Sequence, residues 1–134
     1  MEFDGKLELN KKLDKDMFNL LKLLNDKENF TSKVNTGDNN FYQCDNYFYW
    51  YKCRWRLSGD DMQIIPYEIE HIMHYDLSWL AYICKYVLVP KKYTLNGVLK
   101  YKGEPYTNFG EIIVEDNTVF HFPSYNLNRK EIVI

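Results

Sequence analysis

The fold is decided by residues 93–122, which read YTLNGVLKYKGEPYTNFGEIIVEDNTVFHF. Three stretches of this segment, 93–101, 110–114 and 118–122, are rich in residues that favour β-strands. The sequences between them, Gly-Glu-Pro and Asp-Asn, favour reversals of the chain. The segment therefore predicts a three-stranded antiparallel meander.

The N-terminal part of the chain predicts one strand followed by one helix. Apolar and polar side chains alternate over residues 3–9, as in a strand with one buried face. Leucines and other apolar residues then recur at spacings of three and four, which predicts an amphipathic helix of about eleven residues. Asp14 is its predicted N-cap, and Asn25-Asp26 ends it.

The middle of the chain is more varied. Residues 25–40 have the composition of a loop, and 41–57 are dense in aromatic and β-favouring residues. The second stretch is either a hairpin or one long bent strand, whose side chains alternate between two faces from residue 47 onward. A turn at 58–61 leads into a short return strand at 62–65.

A second, longer helix is predicted at 68–88, where apolar residues mark one face. Pro90 closes this helix. Alternatively, Asp76 caps a shorter helix that begins at Leu77.

Together these elements predict an α+β fold in which two helices cover one face of an antiparallel sheet. The whole chain, 1–134, is predicted to be a single domain. Residues 123–134 are predicted to be an extended tail, in which 131–134 either adds an edge strand or reaches a partner.

Composition narrows the class of protein. Hydrophobic residues make up 46% and charged residues 27%, as in globular proteins, and no apolar run reaches the length of a membrane span. The N-terminus lacks the features of a signal peptide, so we expect a cytoplasmic protein without membrane contact. Aromatic residues reach 17%, of which AT-rich codon usage explains a part. Four aromatic side chains are candidates for an exposed surface: Phe48, Trp50, Tyr75 and Tyr125.

Nucleophile and cofactor motifs are missing from the sequence. The three cysteines, Cys44, Cys53 and Cys84, are widely spaced and predict reduced thiols rather than a disulfide framework or a zinc site. No nucleophile elbow surrounds a serine, and no glycine-rich phosphate loop occurs. We therefore expect neither an enzyme nor a cofactor, although Cys84 beside a histidine stays open as an alternative.

The histidines predict surface positions rather than a metal site. His71 and His74 stand three residues apart on the predicted helix, close to Glu68 and Glu70. The order H-E-x-x-H is missing, and no distant ligand is marked. His121, in a predicted strand, is expected at the surface or as a hydrogen-bonded core residue.

Charge is unevenly distributed along a chain of net charge −2. Residues 60–76 hold five acids and no Lys or Arg, and residues 85–102 hold five lysines and no acid. An acidic patch beside a basic one can orient a protein partner. The candidate protein-binding residues are Asp60, Asp61, Glu68 and Glu70.

A second candidate surface is basic and aromatic. Lys52, Arg54 and Arg56 share one face of the predicted strand, and Phe48 and Trp50 continue it. Cations that follow phosphates and rings that stack on bases are typical of single-strand nucleic-acid binding. Trp50, Lys52, Arg54 and Arg56 therefore form the alternative, nucleic-acid-binding hypothesis, although the net charge disfavours it.

Several motifs occur in an order that resembles a known group. They are the opening strand and turn at 5–14, C-x-W at 53–55, W-L-x-Y at 79–82, L-N-G at 95–97, G-E at 103–104 and D-N at 116–117. The chain resembles a group of small, largely uncharacterised proteins of bacteriophages, prophages and bacterial genomes. The resemblance covers 1–24 and 51–119 and departs at Lys12, where proline is usual.

The resemblance implies an accessory protein of a virus or mobile element that binds a host protein, such as a bacterial defence complex of the CRISPR type. It transfers no catalytic residue. The leading hypothesis is thus a non-enzymatic, cytoplasmic protein-binding protein whose partner is not identified by the sequence. Nucleic-acid binding is the alternative.

Overall fold

The computed structural model describes residues 1–26, 51–103, 109–124 and 128–134. In these ranges, no helix has the length and apolarity needed to cross a membrane. The strands are β1 (Glu2–Leu9), β2 (Trp55–Leu57), β3 (Gln63–Pro66), β4 (Leu95–Lys102), β5 (Phe109–Glu115), β6 (Thr118–Pro123) and β7 (Lys130–Glu131), and the helices are α1 (Lys15–Leu24) and α2 (His74–Tyr82).

The seven strands form one antiparallel sheet in the order β2-β3-β1-β4-β5-β6-β7. The predicted meander is confirmed as β4, β5 and β6. Between β5 and β6, Asp116 and Asn117 both have positive φ, 46° and 69°, as a two-residue type I′ turn requires. The Asn117 side chain accepts from the Leu95 N–H and donates to the Tyr93 carbonyl, both at 2.8 Å, which fixes this turn to β4.

Both helices pack on the same face of the sheet, which confirms the predicted α+β fold class. Alternate residues of the strands point toward the helices and are buried. The sheet contributes Leu7, Leu9, Leu95, Leu99, Ile112, Val114 and Val119 to the core, and α1 contributes Met17, Leu21 and Leu24. Asp14 caps α1 as predicted, because its carboxylate accepts from the Met17 N–H at 2.9 Å.

The second helix differs from the prediction at its start. It begins at His74, neither at 68 nor at 77, with Met73 as N-cap residue. Glu68 has a φ of 54°, which interrupts a right-handed helix. Asp76 lies in the first turn, where its carboxylate accepts from the Met73 N–H at 2.9 Å.

The same helix continues past Tyr82 as a π-helical turn, Ile83–Leu88, and a 3₁₀ turn, Val89–Lys91. Pro90, which was predicted to close the helix, lies inside the 3₁₀ turn, and the helical segment ends one residue later, before Lys92 with its φ of 63°. Within this helix, Trp79 and Tyr82 are 0% and 1% exposed. The helix is therefore enclosed on nearly all sides, and its sequence lacks a polar stripe to mark an outer face.

Of the predicted strand over 47–57, the structure describes 51–57 and confirms only a part. Only 55–57 form a strand, and 51–54 lie before it in irregular backbone. The expected shared face is also absent: Tyr51 is 53% exposed while Cys53 and Trp55 are buried. Arg54 explains the change, because its side chain is bound to α2, as described below. The predictions for 27–50 lie outside the described residues.

The C-terminal residues pair within the chain. β7 pairs with β6 through two residue pairs, Phe120 with Glu131 and His121 with Lys130. Ile132 then donates its N–H to the Val119 carbonyl at 2.8 Å, and its side chain is buried. Residues 130–132 thus add an edge strand to the sheet, which was one of the two predicted alternatives for the tail.

Candidate functional site

The four predicted acidic residues do not form one cluster. Asp60 and Asp61 occupy the turn between β2 and β3, whereas Glu68 and Glu70 follow the other end of β3. Asp60, Glu68 and Glu70 are exposed, so their charges reach solvent. The residues form two separate acidic sites, and their role in protein binding stays a prediction.

Asp60 is held by two hydrogen bonds within its own turn. Its carboxylate accepts hydrogen bonds from the Ser58 hydroxyl and, at 3.1 Å, from the Met62 N–H. These two bonds stabilise the charged form and lower the pKa of Asp60 below its ordinary value. The turn therefore presents a fixed negative charge to solvent.

Arg54 and Asp76 form a two-point ion pair at the N-terminus of α2. The Arg54 guanidinium donates through Nε to Asp76 Oδ1 at 2.9 Å and through Nη2 to Oδ2 at 2.6 Å. Asp76 is fully buried, and its backbone carbonyl accepts from Trp55 Nε1 at 2.8 Å. The hydrogen bonds that Arg54 donates to Asp76 raise the pKa of Arg54 above its usual value. This pair attaches the segment before β2 to the helix.

Arg54 also orders the irregular segment between β3 and α2. Its Nη1 donates to the Glu68 carbonyl at 3.3 Å, and its Nη2 donates to the His71 carbonyl at 3.2 Å. The guanidinium lies 5.4 Å from the ring centroid of Tyr75, which stacks on Tyr51 at 4.3 Å. Arg54 thus has a structural role in this fold.

The other residues of the predicted basic surface are scattered. Lys52 is exposed, Arg56 is half-buried with its guanidinium 4.4 Å from the Tyr67 ring centroid, and Trp50 lies outside the described residues. Because 52 and 54 precede β2, the expected face of three cations on one strand does not form. Nucleic-acid binding stays the alternative hypothesis. The ion pair with Asp76 already compensates the charge of Arg54, which leaves less positive charge for phosphates.

His71 and His74 are both exposed, and only His74 belongs to α2. Within the described ranges, no group of three or more His, Cys, Asp or Glu side chains is arranged to hold a metal ion. His121 is half-buried, with Nε2 at 2.7 Å from the Tyr101 hydroxyl. Burial, followed by the charges of His74 and Lys130, lowers the pKa of His121 below its ordinary value.

The two cysteines that the structure describes are buried thiols. Cys53 is 1% exposed and Cys84 is 0% exposed. Burial raises the pKa of each thiol to about 12. Because the thiolate is the nucleophilic form, neither side chain is activated for covalent chemistry. Cys44 lies outside the described residues.

The strands carry an exposed apolar surface that the sequence did not predict. We define the outer face as the side of β1, β4, β5 and β6 opposite the helices. Its apolar side chains are Val98, Phe109, Ile113, Phe120 and Phe122. Val98 and Phe109 are 40% and 49% exposed, and the other three are half-buried. No helix in the described ranges packs on this face.

Charged side chains order the outer face. The Arg129 guanidinium lies 4.2 Å from the Phe120 ring centroid and donates to both carboxylate oxygens of Glu115, at 2.8 and 3.2 Å. Lys100 and Glu111 approach to 3.9 Å across β4 and β5. Alternation of side chains along β5 and β6 was the available sequence signal for this face.

Comparison with protein-family models, curated proteins and solved structures found no match to the chain. The resemblance to proteins of phages and prophages therefore stays a prediction.

Proposed function

We propose that this protein is a non-enzymatic protein-binding module whose contact surface is the outer face of the sheet. The observation that supports the proposal is the exposure of Val98 and Phe109 beside Phe120 and Phe122. Contiguous exposed apolar side chains are typical of protein interaction sites, where aromatic residues and arginine are enriched.

The outer face has the rigidity that favours binding. Its side chains stand on paired strands, and Phe120 is fixed between its neighbours and the guanidinium of Arg129. Little side-chain entropy remains to be lost when such a surface is covered, which favours association. Charged side chains lie beside and between the apolar ones: Lys6 and Glu8 are on β1, and Lys100 and Glu111 separate Val98 from Phe109. A surface that mixes apolar and charged side chains in this way fits a folded protein partner.

The resemblance to virus and prophage proteins supports a more specific form of the proposal. In that form the partner is a host protein, such as a bacterial defence complex, and binding blocks its action. Asp60, Asp61, Glu68 and Glu70 would then add electrostatic contacts beside the sheet.

The test is affinity capture followed by direct binding. The wild-type chain is used to capture proteins from a bacterial lysate, and each protein identified by mass spectrometry is purified and titrated. A double variant, Val98→Asp with Phe109→Asp, places two carboxylates on the outer face and should lower affinity at least about tenfold. The control is Val89→Asp, because Val89 is 52% exposed but follows α2 and lies outside the outer face.

Equal affinity of the double variant and the wild type would exclude the outer face. A further variant, with charge reversal at Asp60, Asp61, Glu68 and Glu70, tests the acidic sites separately. Tight, salt-dependent binding of a single-stranded oligonucleotide, lost on Lys52→Gln, would instead support the nucleic-acid alternative.

A further inference from the structure

Three basic side chains line one groove beside the N-terminus of α2. They are His74 on α2, His121 on β6 and Lys130 on β7. The groove has a volume of about 320 Å³. The rest of its lining is apolar: Ile72, Met73, Leu77, Pro123 and Ile132.

Strand pairing fixes the relative positions of two of these side chains. His121 and Lys130 are direct partners in the β6–β7 pairing, so they share the side of the sheet that faces the helices. The Tyr101 hydroxyl binds His121 Nε2 at 2.7 Å, and the two rings lie 25° apart. In the described part of the chain, Tyr101 is the hydrogen-bond partner of His121, which leaves Nδ1 for a ligand.

No acidic side chain is among the described residues that line the groove. Nearby Asp76 is bound by Arg54, and Glu131 lies on the opposite side of β7, paired with Phe120. The groups that act on His121 are Tyr101 from β4, His74 from α2 and Lys130 from β7, and none of them is an acid. Protonation of His121 therefore places like charges together unless an anion lies between them.

We propose that this groove binds a small organic anion. Its carboxylate or phosphate group contacts His74, His121 and Lys130, and its apolar part covers the remaining lining. The volume lies at the lower end of the range for small-molecule sites, and a mostly apolar lining with a few convergent polar groups is typical of them. The proposal is independent of protein binding at the outer face, which lies on the other side of the sheet.

Binding of an anion has a predictable pH dependence. The anion stabilises protonated His121, so its pKa rises when the groove is occupied. Because the pKa of free His121 lies below its ordinary value, the side chain is mostly neutral at neutral pH. Affinity should therefore be higher at about pH 5.5 than at about pH 8, since protons are taken up on binding.

The experiment is an NMR titration of the histidine rings in the full chain. The probes are benzoate, phenyl phosphate and inorganic phosphate, with benzyl alcohol as the neutral analogue. We expect benzoate or phenyl phosphate to bind with saturation below about 10 mM and to raise the pKa of His121. The stronger of the two identifies the anionic group, and weaker binding of inorganic phosphate shows the contribution of the apolar lining.

Variants assign the effect to the groove. Lys130→Gln and His121→Gln should each weaken binding by about tenfold, as expected for loss of one charge-assisted hydrogen bond. Lys100→Gln and His71→Gln are matched controls outside the groove and should leave affinity unchanged. Lys130 is exposed, so its substitution leaves the fold intact.

Three results would overturn the proposal: equal binding of benzyl alcohol and benzoate, no change in the pKa of His121 at saturating benzoate, or equal losses in the groove and control variants.

Discussion

Asp76 shows how one residue determines the start of a helix. Its buried carboxylate accepts hydrogen bonds from the Arg54 guanidinium and from the Met73 N–H. A buried carboxylate is costly unless such donors compensate for lost hydration. The sequence suggested Asp76 as a cap and Arg54 as a surface cation. Their ion pair could not be predicted, because it joins residues that are far apart in the chain.

Removal of this carboxylate should strongly destabilise the protein. Asp76→Ala leaves the partly buried Arg54 guanidinium without its acceptor, and we expect a loss of about 3 kcal/mol in the free energy of unfolding. Urea denaturation followed by circular dichroism measures it. The control is Glu115→Ala. It removes an exposed ion pair with Arg129, which also has two hydrogen bonds, and it should change the free energy of unfolding little. Equal losses in both variants would contradict the prediction.

The buried thiols give a second prediction at this scale. With a pKa of about 12, Cys53 and Cys84 are almost entirely protonated at neutral pH. Iodoacetamide should therefore label their peptides only after denaturant is added, as measured by peptide mapping. Labelling of either peptide in the folded protein at the rate of free cysteine would show that its site opens readily.

At the scale of elements, the pairing of β1 with β4 depends on two glycines. Gly5 and Gly97 have φ values of 97° and 149°, which other residues rarely adopt. A Cβ atom on Gly5 would lie 2.2 Å from the Val98 carbonyl oxygen, and one on Gly97 would lie 2.0 Å from the Lys6 carbonyl oxygen. These glycines therefore let the two backbones approach closely.

Gly97→Ala should weaken the centre of the sheet. Backbone strain and the contact with Lys6 together predict a loss of at least about 2 kcal/mol in the free energy of unfolding, measured by urea denaturation. Gly59→Ala is the matched control, because a Cβ there meets nothing within 4 Å. A loss no larger than that of the control would show that the strands shift without penalty.

The regular elements were largely predictable because each has its own periodicity. The meander, β1 and α1 follow from alternation, turn residues and a capping aspartate within short windows. The start of α2 could not be predicted, because an enclosed helix has no polar stripe. The irregular segment 51–54 could not be predicted either, because Arg54 binds an acid that is distant in sequence. The sequence singled out His74 and His121 individually but not Lys130, and only the fold brings the three side chains together.

At the scale of the whole molecule, β1 joins two parts of the sheet that are distant in sequence. It lies between β3 and β4, so within the described sheet it pairs the β2–β3 hairpin on one side with the strands β4 to β7 on the other. Leu7 is fully buried, with Ile64 and Gly97 as its strand partners. Formation of the complete sheet therefore requires long-range contacts of the N-terminal strand.

Leu7→Asn should thus destabilise the whole sheet. Burial of an amide in place of an apolar side chain predicts a loss of about 4 kcal/mol, a large part of the stability of a domain of this size. Lys6→Asn, one residue away on the outer face, is the control and should change the midpoint of thermal unfolding little, because Lys6 is exposed. Similar midpoints for both variants would contradict this role of β1.

Because β7 is short, the opening of this edge strand, which forms one wall of the groove, can be measured separately from unfolding of the whole sheet. The Ile132 amide donates to the Val119 carbonyl at 2.8 Å, next to a strand of only two residues. Amide protons exchange with deuterium when such bonds open, and edge segments open far more often than the rest of a protein. Deuterium uptake at Ile132 therefore reports detachment of β7, and slower uptake in saturating benzoate would show that an occupied groove holds the strand in place.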